Sequence, residues 1–399
     1  MELVAGYPYW LIKSGLPYQY PKLTENKRCS VAIVGGGISG ALAAYCCTRA
    51  GMECILVDGR TIGLGSTCAS TSLLQYELDV PLHKLKKTVG SRHAIRAYQV
   101  CAEAIDKLLA LMKELDFKEY SKKQSLFFSR HKAEMESMQE EYLARKEAGF
   151  DVQLLSSTEI KKEYGLNATC GILSNKAASN NAYLFTHTLL QHCLTKGFQV
   201  FDRTKVRIVK GKNNDQILQT DEGFLIQCKH VINASGYEVI NFIGNKIVNL
   251  DCTYAVISES MTTGSMWKDD IIMWNTDDPY LYLCTTPDHR IMMGGRDEPF
   301  VNMKTMHRYV DKKTHLLEKD FRKCFPSLSF KKEFAWSGVF GKTKDALPYI
   351  GSHPDTPGIS YALGFGGNGI TFSMVAAEII ADLLGGKKNG DAEIFSFAR

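Results

Sequence analysis

A glycine-rich turn near the start of the chain constrains the fold most. The stretch VAIVGGGISG places Gly35, Gly37 and Gly40 in the spacing G-x-G-x-x-G. The four apolar residues before the turn predict a buried strand, and residues 38–50 predict a helix. In this motif the first glycine permits a tight turn, the second lets the backbone approach a pyrophosphate, and the third lets the helix pack on the strand. The sequence therefore predicts a dinucleotide-binding turn.

An acidic residue follows at the place where such a site needs one. Residues 54–58 predict a second strand that ends at Asp58, eighteen residues after Gly40. A carboxylate at this place accepts hydrogen bonds from ribose hydroxyls. Ile38 and Ser39 open the helix, whose N-terminus offers unpaired N–H groups and partial positive charge to phosphates. Strand, turn, helix and acid together predict a bound ADP moiety.

Composition limits the other function classes. The chain has 399 residues, which favours about two domains, and a formal net charge of +5 from scattered Lys and Arg, which predicts no nucleic-acid partner. Twelve cysteines without C-x-x-C spacing predict buried, reduced thiols in a cytoplasmic protein, with neither a metal site nor a disulfide framework. Glycines interrupt the apolar run at 31–47, so we predict no membrane segment. The stretch MELVAGYPYWLIKSG has no basic region followed by an apolar one, so we predict no secretory signal.

A second glycine turn favours FAD over NAD. Near the C-terminus, GFGGNGITFS opens an apolar helix whose N-terminus carries partial positive charge. A reduced flavin is negative around N1 and O2 and suits such a terminus, whereas a nicotinamide ring has no such need. The polar loop GRTIGLGSTCASTS after the second strand also suits a pyrophosphate and a flavin. An NAD-dependent dehydrogenase is the alternative at this point.

These motifs, in this order, resemble the D-amino acid oxidase/glycine oxidase (DAO, glutathione-reductase-2 type) superfamily of FAD-dependent oxidoreductases. The segments HVINASGYE, LYLCTTPDHRIMMGG and FAWSGVFGKTKDALPYIG extend the resemblance over nearly the whole chain, and the leader GYPYW looks like the γ-glutamylputrescine oxidoreductase branch. The resemblance implies an α/β fold, a Rossmann-like FAD-binding domain with an inserted substrate domain of antiparallel β-sheet plus helix. The implied segments are a leader 1–27 packing on the fold, an FAD-binding domain 28–80, 150–240 and 330–399, and a substrate domain 81–149 and 241–329.

The resemblance also implies which residues contact FAD. They are Gly35, Gly37, Ile38, Ser39, Gly40, Asp58, Gly59, Arg60, Gly65, Ser66, Thr67, Ser70, Thr71, Val206, Ala234, Ser235, Gly236, Gly341, Gly366, Gly367, Asn368, Gly369, Ile370 and Thr371. The first glycines, Ser66 and Thr67 would serve the pyrophosphate, and Asp58 the ribose. The last four residues of this set would present N–H groups to the flavin N1/O2 edge, where charge develops on reduction.

The resemblance implies noncovalent FAD. Sarcosine oxidases attach the flavin to a Cys where this chain has Gly338, and dimethylglycine dehydrogenases use a His where it has Ala69. Cys68 is interpreted as a structural thiol. The Lys that promotes oxygen reactivity in sarcosine oxidases falls at Met292, which leaves O2 or another electron acceptor open.

The substrate residues depart from those of the relatives. Gln75, Phe340 and Thr371 occupy positions where relatives hold a substrate carboxylate with Arg or Lys. Because an unpaired buried carboxylate is costly, an amine without one at the reacting carbon is favoured over a small α-amino acid. Gln75, Phe340, Tyr254 and Tyr282 are the predicted substrate-binding residues.

The predicted reaction is hydride transfer from a C–N carbon of an amine or amino acid to flavin N5, giving an imine that water hydrolyses. No catalytic base is identified, and no metal is predicted. Lys342 or Lys344, or an Arg such as Arg296, is the candidate anchor if small amino acids such as glycine or sarcosine are the substrates. The other alternative is a flavoprotein redox subunit without amine oxidation of its own.

Overall fold

The computed structural model describes residues 3–210, 215–237, 247–262 and 266–399. Its strands are β1 (Val4–Gly6), β2 (Lys27–Val34), β3 (Cys54–Val57), β4 (Leu73–Gln75), β5 (Tyr120–Ser129), β6 (Val152–Ser156), β7 (Cys170–Asn180), β8 (Gln199–Phe201), β9 (Val206–Lys210), β10 (Gln216–Thr220), β11 (Leu225–Asn233), β12 (Val248–Ser258), β13 (Ile272–Asn275), β14 (Leu281–Thr285), β15 (Ile291–Pro299), β16 (Lys332–Thr343), β17 (Tyr349–Ser352) and β18 (Ile359–Leu363). Its α-helices are α1 (Tyr9–Ser14), α2 (Ile38–Arg49), α3 (Ser66–Ala69), α4 (Leu82–Val89), α5 (Ser91–Glu114), α6 (Met135–Glu147), α7 (Ser157–Tyr164), α8 (Ala182–Leu194), α9 (Met303–Cys324) and α10 (Gly369–Leu384).

The smaller sheet carries both glycine turns. Its strand order is β17-β18-β11-β2-β3-β8, and all neighbours pair in parallel except β17 with β18. Strands β3 and β18 are short, mostly apolar runs buried along their whole length, as expected for parallel strands covered on both faces. Helix α2 packs against α8 and α10, and α2 and α10 begin just after β2 and β18. The Rossmann-like part of the predicted fold is therefore confirmed.

The larger sheet forms the second layer. Its order is β1-β16-β12-β15-β14-β13-β5-β7-β4, with β6 paired to β7. Among the described strands most neighbours are antiparallel, while β13 and β5 are parallel. The amphipathic helix α9 packs on β1, β12, β15 and β16. This sheet and helix match the predicted antiparallel sheet-plus-helix architecture.

The predicted domain segments stay a proposal. Within the ranges assigned to the FAD-binding domain, β4, β6, β7 and β16 belong to the larger sheet, which favours moving these strands to the substrate domain. The predicted boundary between residues 240 and 241 lies outside the described residues. The leader contributes β1, which pairs with β16 (Val4 opposite Gly338).

Two further findings concern the thiols and the helices. All twelve cysteines carry free thiols, and all but Cys46 are buried. None of the helices in the described part of the chain is both long and apolar enough to cross a membrane.

Candidate active site

A cavity of about 1280 Å³ runs from the start of α2 to the larger sheet. Single small-ligand sites usually have about 300–1,000 Å³, so this cavity has room for a large cofactor together with a substrate. The predicted site residues that line it are Gly35, Gly37, Ile38, Ser39, Asp58, Gly59, Arg60, Gly65, Ser66, Thr67, Ser70, Thr71, Gln75, Val206, Ala234, Ser235, Gly236, Tyr282, Phe340, Gly366, Gly367, Asn368, Gly369 and Ile370. Gly40, Gly341, Thr371 and Tyr254 are not part of its wall.

The first glycine turn is shaped by close backbone approaches. Gly35 has φ +110°, and a Cβ there would clash with the carbonyl of Ala234. A Cβ on Gly40 would clash with the carbonyl of Gly35, which explains why Gly40 packs against the strand and does not reach the cavity. A Cβ on Gly37 would lie 2.8 Å from Thr67 Oγ1 at the cavity wall. This backbone is therefore open to a ligand only while residue 37 has no side chain.

Asp58 joins the two loops at this end of the cavity. Its Oδ2 accepts a hydrogen bond from the Gly36 amide at 2.6 Å, and its Oδ1 accepts one from the Arg60 amide at 2.7 Å. Thr67 Oγ1 likewise accepts from the Ile38 amide at 3.0 Å. The structure shows that the Asp58 carboxylate holds the glycine turn against the loop after β3. The ribose contact of Asp58 stays a prediction.

At the second glycine turn the Asn368 side chain supports the start of α10. Its Nδ2 donates to the Gln75 and Glu77 carbonyls at 3.0 and 2.9 Å. Thr371 is buried and its Oγ1 donates to the Asn368 carbonyl at 3.0 Å. This bond turns the Thr371 side chain inward, whereas the predicted contact of its backbone N–H with the flavin stays a prediction.

Residues 30–383 match the family model of the FAD-dependent oxidoreductases named DAO. The chain belongs to the DAO family. FAD is its cofactor, as predicted, and the NAD-dependent alternative is excluded. This DAO-family chain is 23% identical over 395 residues to the γ-glutamylputrescine oxidoreductase of Escherichia coli (strain K12), with 94% of this chain and 87% of that protein covered.

Two more comparisons agree with this family. The glycine oxidase of Bacillus licheniformis is 24% identical over 376 residues, with 90% of this chain and 94% of that protein covered. The crystal structure of glycine oxidase from Geobacillus kaustophilus superposes with a TM-score of 0.78 at 20% identity, covering 94% of this chain and 99% of that one. At this identity the structural likeness shows the fold.

The cavity fits FAD at both helix N-termini. A Cβ on Gly236 or Gly369 would meet no atom within 4 Å, so the backbone at these two lining positions faces open space. The residues that would hold FAD are thus the α2 turn with Asp58 at one end and the α10 turn at the other. Helix N-termini of this kind favour negative charge.

On the larger sheet the cavity wall contains acidic residues that sequence reasoning missed. Asp79 lines the cavity, where it is exposed, and accepts a hydrogen bond from the Gly367 amide at 2.9 Å. Desolvation by the surrounding protein raises the pKa of the Asp79 carboxyl. The acidic pair Glu77 and Asp79 in QYELDV, just after β4, was the available signal.

Asp297 lies behind this wall. Its side chain is 5% exposed, and neither carboxylate oxygen has a hydrogen-bond partner among the described residues. Burial raises the pKa of Asp297 to about 6, although the nearby Thr253 hydroxyl and Lys342 oppose the shift. Lys342 lines the cavity, but its Nζ is 2.9 Å from Asp251 Oδ2 and 4.0 Å from Asp297 Oδ2. The lysine charge is therefore balanced by carboxylates.

Of the four residues predicted to bind the substrate, three line the cavity and Tyr254 does not. Tyr282 and Phe340 line the cavity, and Gln75 lines it while its Nε2 donates to Ser125 Oγ at 3.2 Å. Tyr254 is buried on the other face of the larger sheet, where its hydroxyl donates to Glu298 Oε1 at 2.5 Å. This placement argues against the substrate-binding role predicted for Tyr254.

The two other candidate anchors for a carboxylate also lie elsewhere. Lys344 does not line the cavity. Arg296 is paired with Asp320 and faces a separate, smaller cavity. Neither cation reaches the wall that carries Phe340 and Tyr282.

Proposed function

We propose that this DAO-family chain oxidises an amine whose reacting carbon carries no carboxylate. The observation that carries the proposal is the charge around the part of the cavity that Phe340 and Tyr282 line: Asp79 also lines it, Asp297 is buried behind it, and Lys342 is already paired with Asp251. A buried carboxylate ligand without a cationic partner would be costly. An ammonium group is favoured by the same wall.

In this proposal FAD accepts the hydride, Asp79 accepts a proton, and Phe340 and Tyr282 orient the substrate. FAD, when bound, supplies the hydride acceptor at flavin N5, and water hydrolyses the resulting imine. Asp79 receives the proton that the substrate ammonium loses, because only the neutral amine can give up hydride from its carbon. Phe340 and Tyr282 limit the room around the reacting carbon, which orients it and excludes water.

The relatives' names are compatible with this reaction class, since they include a γ-glutamylputrescine oxidoreductase and a glycine oxidase. We place the reaction in the cytoplasm, in keeping with twelve free thiols. The substrate is a small molecule, and O2 or another acceptor reoxidises the flavin.

Anaerobic stopped-flow measurement of flavin bleaching tests the proposal. We expect primary or secondary amines to reduce the flavin faster than glycine, sarcosine or D-alanine. Faster reduction by the small amino acids would contradict the proposal, and the variant Lys342→Met would then show whether Lys342 anchors them. If dithionite bleaches the flavin and no amine or amino acid does, a redox subunit without amine oxidation is the better account.

A further inference from the structure

Tyr280 lines the cavity from the loop between β13 and β14. Asn275 fixes the end of this loop, because its buried side chain accepts a hydrogen bond from the Leu281 amide at 2.8 Å. The ring of Tyr280 lies beside that of Tyr282, with 5.8 Å between the ring centres. Tyr280 is half-buried, so part of its side chain is open to a ligand.

The Tyr280 hydroxyl and the Asp79 carboxylate converge in front of Gly367. A Cβ on Gly367 would lie 2.6 Å from Asp79 Oδ1 and 3.3 Å from Tyr280 Oη, and the atoms nearest to it all belong to these two side chains. The two oxygens are therefore at most about 6 Å apart. A nitrogen between them can lie within hydrogen-bond distance of both, about 2.7–3.2 Å.

Both oxygens are available to such a nitrogen. Asp79 is exposed at the cavity, and the Gly367 amide occupies its Oδ2. Lys342 is ion-paired with Asp251 at 2.9 Å, so it does not occupy Asp79 Oδ1. The Tyr280 hydroxyl has no hydrogen-bond partner in the described part of the chain, and it is not one of the enclosed, unpaired atoms there.

The Tyr280 hydroxyl stays protonated over the working range of pH. Desolvation by the surrounding protein, and then the charge of Asp79, raise its pKa well above the ordinary 10. A neutral phenolic hydroxyl accepts hydrogen bonds as well as donating one, whereas an ammonium group only donates. Asp79 and Tyr280 thus offer an ammonium one charged and one neutral acceptor.

We infer that Asp79 Oδ1 and Tyr280 Oη bind the reacting amine together, each through one N–H of its ammonium form, so that the substrate is a primary or secondary amine and not a tertiary one. A primary ammonium has three N–H groups and a secondary one has two, which is enough for both oxygens. A tertiary ammonium has one, and the carboxylate takes it because charge-assisted hydrogen bonds are the stronger ones.

The second contact also matters after the proton has moved. When Asp79 Oδ1 accepts a proton from the bound ammonium, a primary or secondary amine keeps an N–H for Tyr280 Oη. Tyr280 therefore holds the neutral amine, the form that gives up hydride, and leaves the nitrogen lone pair free. A tertiary amine has no N–H left at this point.

This inference rests on the proposed amine oxidation, and its first measurement is binding without turnover. tert-Butylamine has no hydrogen on the carbon next to nitrogen, so it binds without reducing the flavin. Calorimetric titration of the holoenzyme with tert-butylamine gives its Kd. We expect Tyr280→Phe, which keeps the ring, to raise this Kd about tenfold, which corresponds to about 1.4 kcal/mol.

The second measurement compares a primary amine with its N-methyl and N,N-dimethyl derivatives. Each is mixed anaerobically with the holoenzyme, and flavin bleaching gives the concentration for half-saturation. We expect the N,N-dimethyl amine to need at least a tenfold higher concentration than the N-methyl amine. In Tyr280→Phe this ratio should fall about tenfold, because the variant removes the second acceptor and does not change the bulk of the added methyl group.

Tyr282→Phe is the matched control. Tyr282 also lines the cavity, but its hydroxyl already lies 3.4 Å from Thr253 Oγ1. We expect the ratio between the two methylated amines to persist in this variant, whatever happens to the rate itself.

The results separate the inference from the proposed function. A Kd for tert-butylamine that Tyr280→Phe leaves unchanged, or a ratio that survives in Tyr280→Phe, would overturn the inference alone. Half-saturation by the N,N-dimethyl amine at the concentration of the N-methyl amine would also overturn it. Failure of every amine with a reactive hydrogen to bleach a flavin that dithionite bleaches would overturn the proposed function, and the inference with it.

Discussion

Ala69 and Gly338 face each other at the cavity wall: a Cβ on Gly338 would lie 3.2 Å from the Cβ of Ala69. Two hydrogen bonds fix these segments, one from Trp336 Nε1 to the Ala69 carbonyl at 2.7 Å and one from Ser66 Oγ to the Val339 carbonyl at 3.2 Å. These are the two positions at which the family resemblance implies a Cys or a His in members that attach the flavin covalently. Here both lack a nucleophile.

We therefore expect acid or heat precipitation of the yellow protein to leave all of its FAD in the supernatant. Cys68, the neighbouring thiol, donates to the Gly65 carbonyl, and burial raises the pKa of its thiol to about 12, which disfavours the reactive thiolate. Absorbance of supernatant and pellet measures the outcome. Flavin that stays with the precipitated polypeptide would contradict a noncovalent cofactor.

Gly37→Val is expected to abolish FAD binding. The new side chain would contact Thr67 Oγ1 and occupy the cavity beside the α2 turn, where the pyrophosphate backbone contacts are expected. Flavin content per polypeptide, from the visible spectrum, is the measurement. Gly390→Val is the control, because a Cβ at this exposed residue meets no atom within 4 Å. A folded Gly37→Val protein with full flavin content would place the pyrophosphate elsewhere.

Asp58→Ala is expected to weaken FAD binding by about 1.5–3 kcal/mol, the usual loss for hydrogen bonds to a charged group. Part of this loss comes from the amides of Gly36 and Arg60, which lose their acceptor. Titration of the apoprotein with FAD measures the change. Asp58→Asn keeps an acceptor oxygen, so it is expected to lose less; equal affinity of Asp58→Ala and the unaltered protein would remove Asp58 from the site.

The glycine turns were predictable because their causes are local. Gly35 and Gly40 are only five positions apart in the chain, and the spacing of the motif predicts their close approach. The side on which a strand residue points was not predictable. Thr253 and Tyr254 are neighbours in β12, and Thr253 lines the cavity while Tyr254 is buried in the core, because successive side chains of a strand alternate. Only the register of the sheet decides which of them meets a substrate.

The acidic wall escaped prediction for a different reason. Asp79 accepts a hydrogen bond from the amide of Gly367, a residue 288 positions further along the chain. The periodicity of the sequence does not predict such a contact. The pairing of Lys342 with Asp251 depends likewise on the alignment of β16 with β12. Charge balance in a cavity is a property of the assembled fold, so the candidate anchors had to remain alternatives until the fold was known.

Asp297→Asn is expected to stabilise the protein above pH 6. The folded state raises the pKa of this carboxyl from its ordinary 3.8 to about 6, so folding binds a proton between these values and stability falls as the pH rises through that window. The variant's advantage in free energy of unfolding should grow from pH 4 to pH 6 and then stay level, at no more than about 3 kcal/mol.

Urea unfolding at a series of pH values measures this advantage. Asp311→Asn is the control, because the Asp311 side chain is 92% exposed, and we expect it to show no such pH dependence. A difference between Asp297→Asn and the unaltered protein that is the same at pH 4 and pH 7 would mean that Asp297 is not held with a raised pKa.

Asp79→Asn is expected to slow flavin reduction by amines roughly 10²-fold at pH 7, the lower end of the usual contribution of a general base. The Asn oxygen can still accept from the Gly367 amide, so the α10 turn and the FAD content should be preserved; what is lost is a group that takes the ammonium proton. Because the Asp79 carboxyl has a raised pKa, the unaltered protein gains activity as rising pH ionises it. The variant depends instead on the free amine in solution, so its deficit should shrink toward pH 10, near the pKa of an alkylammonium.

Asp278→Asn is the control, because Asp278 is another exposed acid that lines the cavity, and this variant should keep the unaltered pH profile. Stopped-flow reduction between pH 6 and pH 10 compares the three proteins, and an Asp79→Asn rate that equals the unaltered one at pH 7 would remove Asp79 from the proton transfer.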